Sequence, residues 1–119
     1  MSRAWLTLLM SLVPSFALAA GTGHSCDLRA LTKQERSEHA ELGRQMRSGV
    51  KQQRELANGY AFRLPAERWL AVARWAELER KCCPFFAFEL SAAPDHGPVW
   101  LRITGAAGVK AFMKEEMGL

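Results

Sequence analysis

The sequence predicts an α+β two-layer domain, in which about four mainly antiparallel strands carry helices on one face. Three helical patterns and two hairpin patterns support this, in the order helix-hairpin-helix-hairpin-helix. Each predicted strand has one apolar face, which a layer of helices would cover. The 119 residues are enough for one such domain with a modest core.

The first helix is predicted from a capping box, in which Thr32 is the N-cap and Glu35 lies three residues further on. It should run over about residues 33–48, and its thin apolar stripe indicates that most of it is solvated. Asn58-Gly59 follows between two extended runs, which is a strong hairpin signal. The run before the turn is polar and is expected at an edge of the sheet.

The second helix is predicted to have an apolar stripe that includes Trp69 and Leu70. Pro84 should end this helix. Because the residue before a proline is pushed toward extended geometry, we expect Cys82 to be the last helical residue and Cys83 to lie outside.

The second hairpin consists of alternating runs at residues 86–90 and 99–103, and a third helix follows it. Trp100 alternates away from the core and should lie on the open face of the sheet. Near it we expect the charged side chains Arg63, Glu89 and Arg102. This face could bind a partner or form a homodimer. The alternative is a cross-strand ladder, in which an arginine stacks on the tryptophan and pairs with the glutamate.

The N-terminal segment has the pattern of a secretory signal. Arg3 precedes a nearly apolar stretch, and Ala17-Leu18-Ala19 is a small-x-small cleavage pattern. The stretch is short for a membrane span, which needs roughly 20 residues. The predicted organisation is therefore a signal peptide at 1–19, a flexible lead-in at 20–31 and one domain at 32–119. An uncleaved anchor or a misassigned start codon is the alternative.

Cleavage would give a bacterial periplasmic or secreted protein without stable membrane insertion. It removes Arg3 and no acidic residue, which lowers the formal charge from +4 to +3. The basic residues are interleaved with glutamates rather than clustered, so nucleic-acid binding is not supported.

The three cysteines are the residues most suggestive of chemistry. Cys82 and Cys83 are adjacent, and Pro84 follows them. Adjacent cysteines rarely bond to each other, because the ring that they would close strains the peptide. An odd number of cysteines in an exported chain leaves one thiol unpaired, bonded to another chain or bound to a metal.

Several segments resemble a family of small, largely uncharacterised bacterial proteins. The family is marked by a Cys-Cys-Pro-Phe motif and a Gly-Pro-x-Trp-Leu-Arg strand. The main matching segments are Cys26-Asp27-Leu28, Gly59-Tyr60-Ala61-Phe62-Arg63, Glu79-Arg80-Lys81-Cys82-Cys83-Pro84-Phe85 and Gly97-Pro98-Val99-Trp100-Leu101-Arg102. Shorter matches are Ala30-Leu31-Thr32, Phe88, Thr104-Gly105, Gly108-Val109-Lys110 and Phe112. The resemblance implies one compact domain and a shared role for the cysteines, but no particular activity.

A soft-metal site is the first functional hypothesis. Thiolates prefer soft or borderline ions such as Zn(II), Cu(I), Hg(II) or As(III). Cys26, Cys82 and Cys83 would supply sulfur, with His24 and Glu79 as candidate further ligands. A free thiolate at the end of a helix is disfavoured by the backbone carbonyls, and a bound cation removes that penalty.

Two alternatives remain open from the sequence. A disulfide from Cys26 to Cys82 or Cys83 would make the domain a stabilised structural or interaction module. A thiol redox enzyme is the weaker alternative. His39 and His96 are predicted to be ordinary surface residues. The sequence thus favours a non-catalytic protein whose partner is a metal ion or a small thiol-reactive species.

Overall fold

The computed structural model describes residues 24–119, so the predicted signal peptide and the start of the lead-in lie outside the described residues. The elements in chain order are α1 (Lys33–Gly49), β1 (Gln52–Leu56), β2 (Gly59–Leu64), α2 (Trp69–Cys82), β3 (Ala87–Ala92), β4 (Val99–Thr104) and α3 (Val109–Met117). Short 3₁₀ turns precede α1 at Leu28–Ala30 and α2 at Ala66–Arg68.

The four strands form one antiparallel sheet in the order β1-β2-β4-β3. This sheet and the three helices confirm the α+β class, and the polar strand β1 lies at an edge as predicted. In β4 the buried residues Val99, Leu101 and Ile103 alternate with more exposed ones. That the helices all cover this one face stays a prediction.

The predicted start of α1 and the predicted end of α2 agree with the structure. The Thr32 hydroxyl accepts a hydrogen bond from the Glu35 amide, and the Glu35 carboxylate accepts one from the Thr32 amide, at 3.1 and 3.0 Å. These bonds satisfy two of the amides that every helix start leaves unpaired. At the other junction α2 ends at Cys82, and Cys83 is the first residue beyond it.

The predicted stripe of α2 was wrong at its start. Trp69 is 40% exposed and Leu70 is 77% exposed, whereas Val72, Trp75 and Cys82 are buried. Because a helix turns by about 100° per residue, Leu70 points almost opposite to Val72. None of the helices between residues 24 and 119 is long and apolar enough to cross a membrane.

Candidate sulfur and metal site

The site lies where α2 ends and the chain turns toward β3. Cys82 is the last helical residue, and the amide of Cys83 still donates to the Glu79 carbonyl, at 2.7 Å. Both cysteines are almost completely buried. Pro84 prevents the helix from continuing, so the two side chains leave the backbone from different geometries.

Cys26 and Cys83 form a disulfide, with their Cα atoms 4.6 Å apart. Beside it, the Asp27 amide donates to the carbonyl of Cys82 at 2.8 Å. The segment before α1 is thus fixed to the end of α2 by one covalent and one hydrogen bond. Of the two pairings left open by the sequence, the structure has the one to Cys83.

Cys82 brings a third sulfur to the same place. Its Sγ lies 3.7 Å from Sγ of Cys83, and its thiol donates to the Glu79 carbonyl at 3.5 Å. Burial, together with the nearby Glu79 charge, raises the pKa of Cys82 to about 11. The thiol is therefore protonated near neutral pH, which does not suit a nucleophile.

Glu79 is a buried acid placed against the sulfurs. It is 8% exposed, and its Oε1 lies 3.2 Å from Sγ of Cys83. While the disulfide is closed, this sulfur carries no proton. After reduction, the Cys83 thiol can donate a hydrogen bond to Glu79 across this distance.

His39 occupies the other side of the Glu79 carboxylate. Its Nε2 hydrogen-bonds to Glu79 Oε2, and its side chain is 19% exposed. The expectation that His39 is an ordinary surface residue is therefore wrong. Its ring lies nearly parallel to that of Trp75, and Gly43 lets α1 approach Trp75 closely.

Two further ion pairs connect the same two helices. Lys81 pairs with Glu35 at 2.6 Å, and Arg74 pairs with Glu38 at 2.7 Å. Together with the pair between His39 and Glu79, they lie along the face of α1 that meets α2. The thin apolar stripe predicted for α1 lies on this face, since Met46 is buried and Leu42 packs against the core.

Two groups of donor atoms could hold a metal. One consists of Cys26, Glu79 and Cys83, and the other of His39, Glu79 and Cys82; within each group the donor atoms lie within 4.8 Å of one another. Glu79 belongs to both, so the groups form one continuous cluster. We call these five residues the sulfur cluster.

His24, the other candidate ligand, belongs to neither group. Its ring packs against Phe85, with centroids 4.6 Å apart. Its Nε2 lies 3.5 Å from the carbonyl oxygen of Ala107. His24 is therefore part of the packing that holds the lead-in against α3.

The residues predicted for the open sheet face are close together. Trp100 pairs across the sheet with Arg63, and Arg102 forms an ion pair with Glu89 at 3.4 Å. The cation stacked on Trp100 is Arg54 of the edge strand, 4.6 Å from the ring centroid. These contacts are those of a cross-strand ladder, and a binding or homodimer role for this face stays a proposal.

A cavity of about 220 Å³ opens beside the disulfide, between the three helices. We call it the Cys26 cavity. Its lining includes Cys26, His39 and Glu79 of the sulfur cluster and the charged residues Arg47 and Glu116. Of the two bonded cysteines, Cys26 lines the cavity, whereas Cys83 does not and is fully buried.

Comparison of the chain with protein-family models, curated proteins and solved structures gave no match. The resemblance to the Cys-Cys-Pro-Phe family therefore stays a prediction.

Proposed function

We propose that the protein binds a soft or borderline metal or metalloid ion when the Cys26–Cys83 disulfide is reduced. The ligands would be the sulfurs of Cys26, Cys82 and Cys83, with Glu79 as an oxygen ligand or neighbour. His39 would orient the Glu79 carboxylate through its hydrogen bond, as residues next to a metal ligand commonly do. The role is binding rather than catalysis.

The distance between the two neighbouring cysteine sulfurs supports this proposal most directly. Two thiolates at about 2.3 Å from one tetrahedral ion lie about 3.8 Å apart. The sulfurs of Cys82 and Cys83 are 3.7 Å apart without any ion. Cys26 is bonded to Cys83, so breaking that bond leaves a third sulfur at the same point.

The buried carboxylate of Glu79 is a second argument. A disulfide alone needs neither a third cysteine nor an acid, and burying a charged group costs free energy unless it is compensated. Here the acid lies 3.2 Å from a sulfur and is paired with a single histidine. A cation held by the sulfurs would offset the charge of this carboxylate and the carbonyl dipoles at the end of α2.

The electrostatics of Cys82 are consistent with metal binding and not with nucleophilic chemistry. Burial first and the Glu79 charge second raise the pKa of this thiol to about 11. A coordinated metal displaces the proton of such a thiol, so binding should release protons and weaken at lower pH.

Metal titration in two redox states tests the proposal. The protein is reduced with a phosphine, desalted without oxygen and titrated with Co(II) and, separately, with As(III). Thiolate-to-metal charge-transfer absorbance should rise to one equivalent of Co(II). The disulfide-bonded protein should bind at least about tenfold more weakly, because two sulfurs are withdrawn from the site.

Cys82→Ser is the informative variant, because it keeps the disulfide and removes only the third sulfur. His96→Gln changes an exposed residue in a turn and is the matched control. Equal affinity in Cys82→Ser and His96→Gln, or in the reduced and oxidised protein, would contradict the proposal.

A disulfide-stabilised module without metal is the second candidate, and the Cys26–Cys83 bond favours it. The signal peptide predicted at 1–19 would bring the domain to a compartment where such a bond persists. Under this alternative the reduced protein binds neither ion, and reduction only lowers stability.

A further inference from the structure

We propose that the Cys26 cavity accepts a small zwitterionic thiol, whose sulfur exchanges with the disulfide at Cys26. The class is an amino-acid thiol, with a carboxylate and an ammonium group near the sulfur; free cysteine is the simplest member. This activity needs no metal and goes beyond the proposed function.

The position of the exchange follows from the unequal access to the two sulfurs. Cys26 is half-buried and lines the cavity, whereas Cys83 is fully enclosed in the core. Thiol–disulfide exchange requires the attacking sulfur to approach in line with the bond that breaks, so access decides which sulfur is attacked. The incoming thiol should therefore bond to Cys26.

The size of the cavity limits the thiol to a small molecule. A volume of about 220 Å³ equals that of about seven water molecules, at ~30 Å³ each. Free cysteine has about this number of non-hydrogen atoms. A tripeptide thiol would leave most of its atoms outside.

The charges of the lining favour a zwitterion. Arg47 on α1 and Glu116 on α3 both line the cavity, and among residues 24–119 neither forms an ion pair. The Arg47 guanidinium folds toward α2, since a Cβ at Gly43 would lie 3.3 Å from Arg47 Nη1 and from Trp75 Nε1. A carboxylate can thus bind Arg47 while an ammonium group binds Glu116.

The exchange step balances without any other reagent. The incoming thiolate forms a bond to Cys26 Sγ, and the Cys26–Cys83 bond breaks with its electron pair going to Cys83. Cys83 takes up the proton that the incoming thiol lost. The products are a mixed disulfide on Cys26 and a Cys83 thiol, which lies 3.2 Å from a Glu79 oxygen that can accept its hydrogen bond.

Exchange also has a consequence for the sulfur cluster. It leaves Cys82 and Cys83 as neighbouring thiols beside Glu79. A second thiol molecule attacking the mixed disulfide would release Cys26 and complete the three-sulfur site.

Mass spectrometry of the oxidised protein tests the proposal, with a chelator present so that metal binding plays no part. The protein is mixed with free cysteine or with 2-mercaptoethanol and quenched with acid at early times. Peptide mapping should place the added cysteine on Cys26. An adduct on Cys83, or no adduct at all, would overturn the proposal while leaving the metal hypothesis standing.

Two substitutions test the charge recognition. Arg47→Gln and Glu116→Gln should each slow exchange with cysteine about threefold, because pairs between exposed charges are weak. Exchange with uncharged 2-mercaptoethanol should stay unchanged. Each variant's exchange rate is divided by the wild-type exchange rate with the same thiol. This ratio removes the difference in intrinsic reactivity between cysteine and 2-mercaptoethanol.

Neighbouring charges of the same sign provide the matched controls. Arg44→Gln and Glu115→Gln make the same changes on the same helices, at positions that do not line the cavity. Equal slowing of both thiols by Arg47→Gln, or equal slowing of cysteine by the control variants, would contradict recognition of a zwitterion.

Discussion

Removing the disulfide by Cys26→Ala should cost the oxidised protein much of its stability. The bond joins residues 57 positions apart. Constraint of a loop of this length in the unfolded chain contributes about 4 kcal/mol to the free energy of unfolding. The half-buried side chain adds little packing, and the Asp27–Cys82 backbone bond remains possible. For a domain of about this size, the loss corresponds to a melting temperature roughly 15–30 °C lower.

Denaturant unfolding of the oxidised protein, with and without a reductant, measures this effect. The reductant should lower the free energy of unfolding of the wild type to that of Cys26→Ala. It should leave the free energy of unfolding of Cys26→Ala unchanged. Cys82→Ala is the matched control, because it keeps the disulfide and should lose only about 1–2 kcal/mol from the core. The prediction would be refuted if Cys26→Ala lost less free energy of unfolding than Cys82→Ala. It would also be refuted if the reductant did not change the free energy of unfolding of the wild type.

Four further outcomes follow from the same contacts. Cys83→Ser should weaken Co(II) binding by the reduced protein at least about tenfold with an unchanged far-UV circular dichroism spectrum; unchanged affinity would count against the site. Glu79→Gln should weaken Co(II) binding by the reduced protein about tenfold in the same titration, since the carboxylate lies against the sulfurs. The pKa of the Cys82 thiol is about 11 in the folded protein, against the ordinary value of 9.0 expected in the unfolded chain. As the pH rises, the unfolded chain therefore loses the thiol proton before the folded protein does. The free energy of unfolding should therefore fall as pH rises from about 9 to 11, and by less in Cys82→Ala. Gly59→Ala should lower the free energy of unfolding by about 1–3 kcal/mol, because its Cβ would overlap the backbone carbonyl of Ile103.

The local signals of the fold could be predicted from the sequence. The capping box at Thr32, the first hairpin and the helix end before Pro84 depend on residues close together in the chain, and each is present in the structure. The loop of this hairpin is Ala57-Asn58, one residue earlier than the predicted Asn-Gly turn, because Gly59 already pairs with Leu56 as the first residue of β2. The outward direction of Leu70 was missed, because the start of α2 depends on a 3₁₀ turn that a periodic pattern does not indicate.

The candidate site could be predicted only in part. The meeting of Cys26 with the Cys82-Cys83 pair was expected from the chemistry of cysteine. Which of the two would bond depended on the geometry after the end of α2. The role of His39 was missed, because it depends on which face of α1 packs against Glu79. His39 comes three residues before Leu42 and seven before Met46, so helical spacing places it on the packed face of α1. Spacing within α1 does not reveal that Glu79 of α2 lies opposite it.

X-ray absorption spectroscopy of the reduced protein with bound As(III) tests the central claim most directly, because it counts the sulfur atoms around the ion. The three cysteines meet at Cys83 in the structure, so the account predicts three sulfur neighbours in the wild type and two in Cys82→Ser. Two or fewer sulfurs in the wild type, or the same number in both proteins, would contradict it.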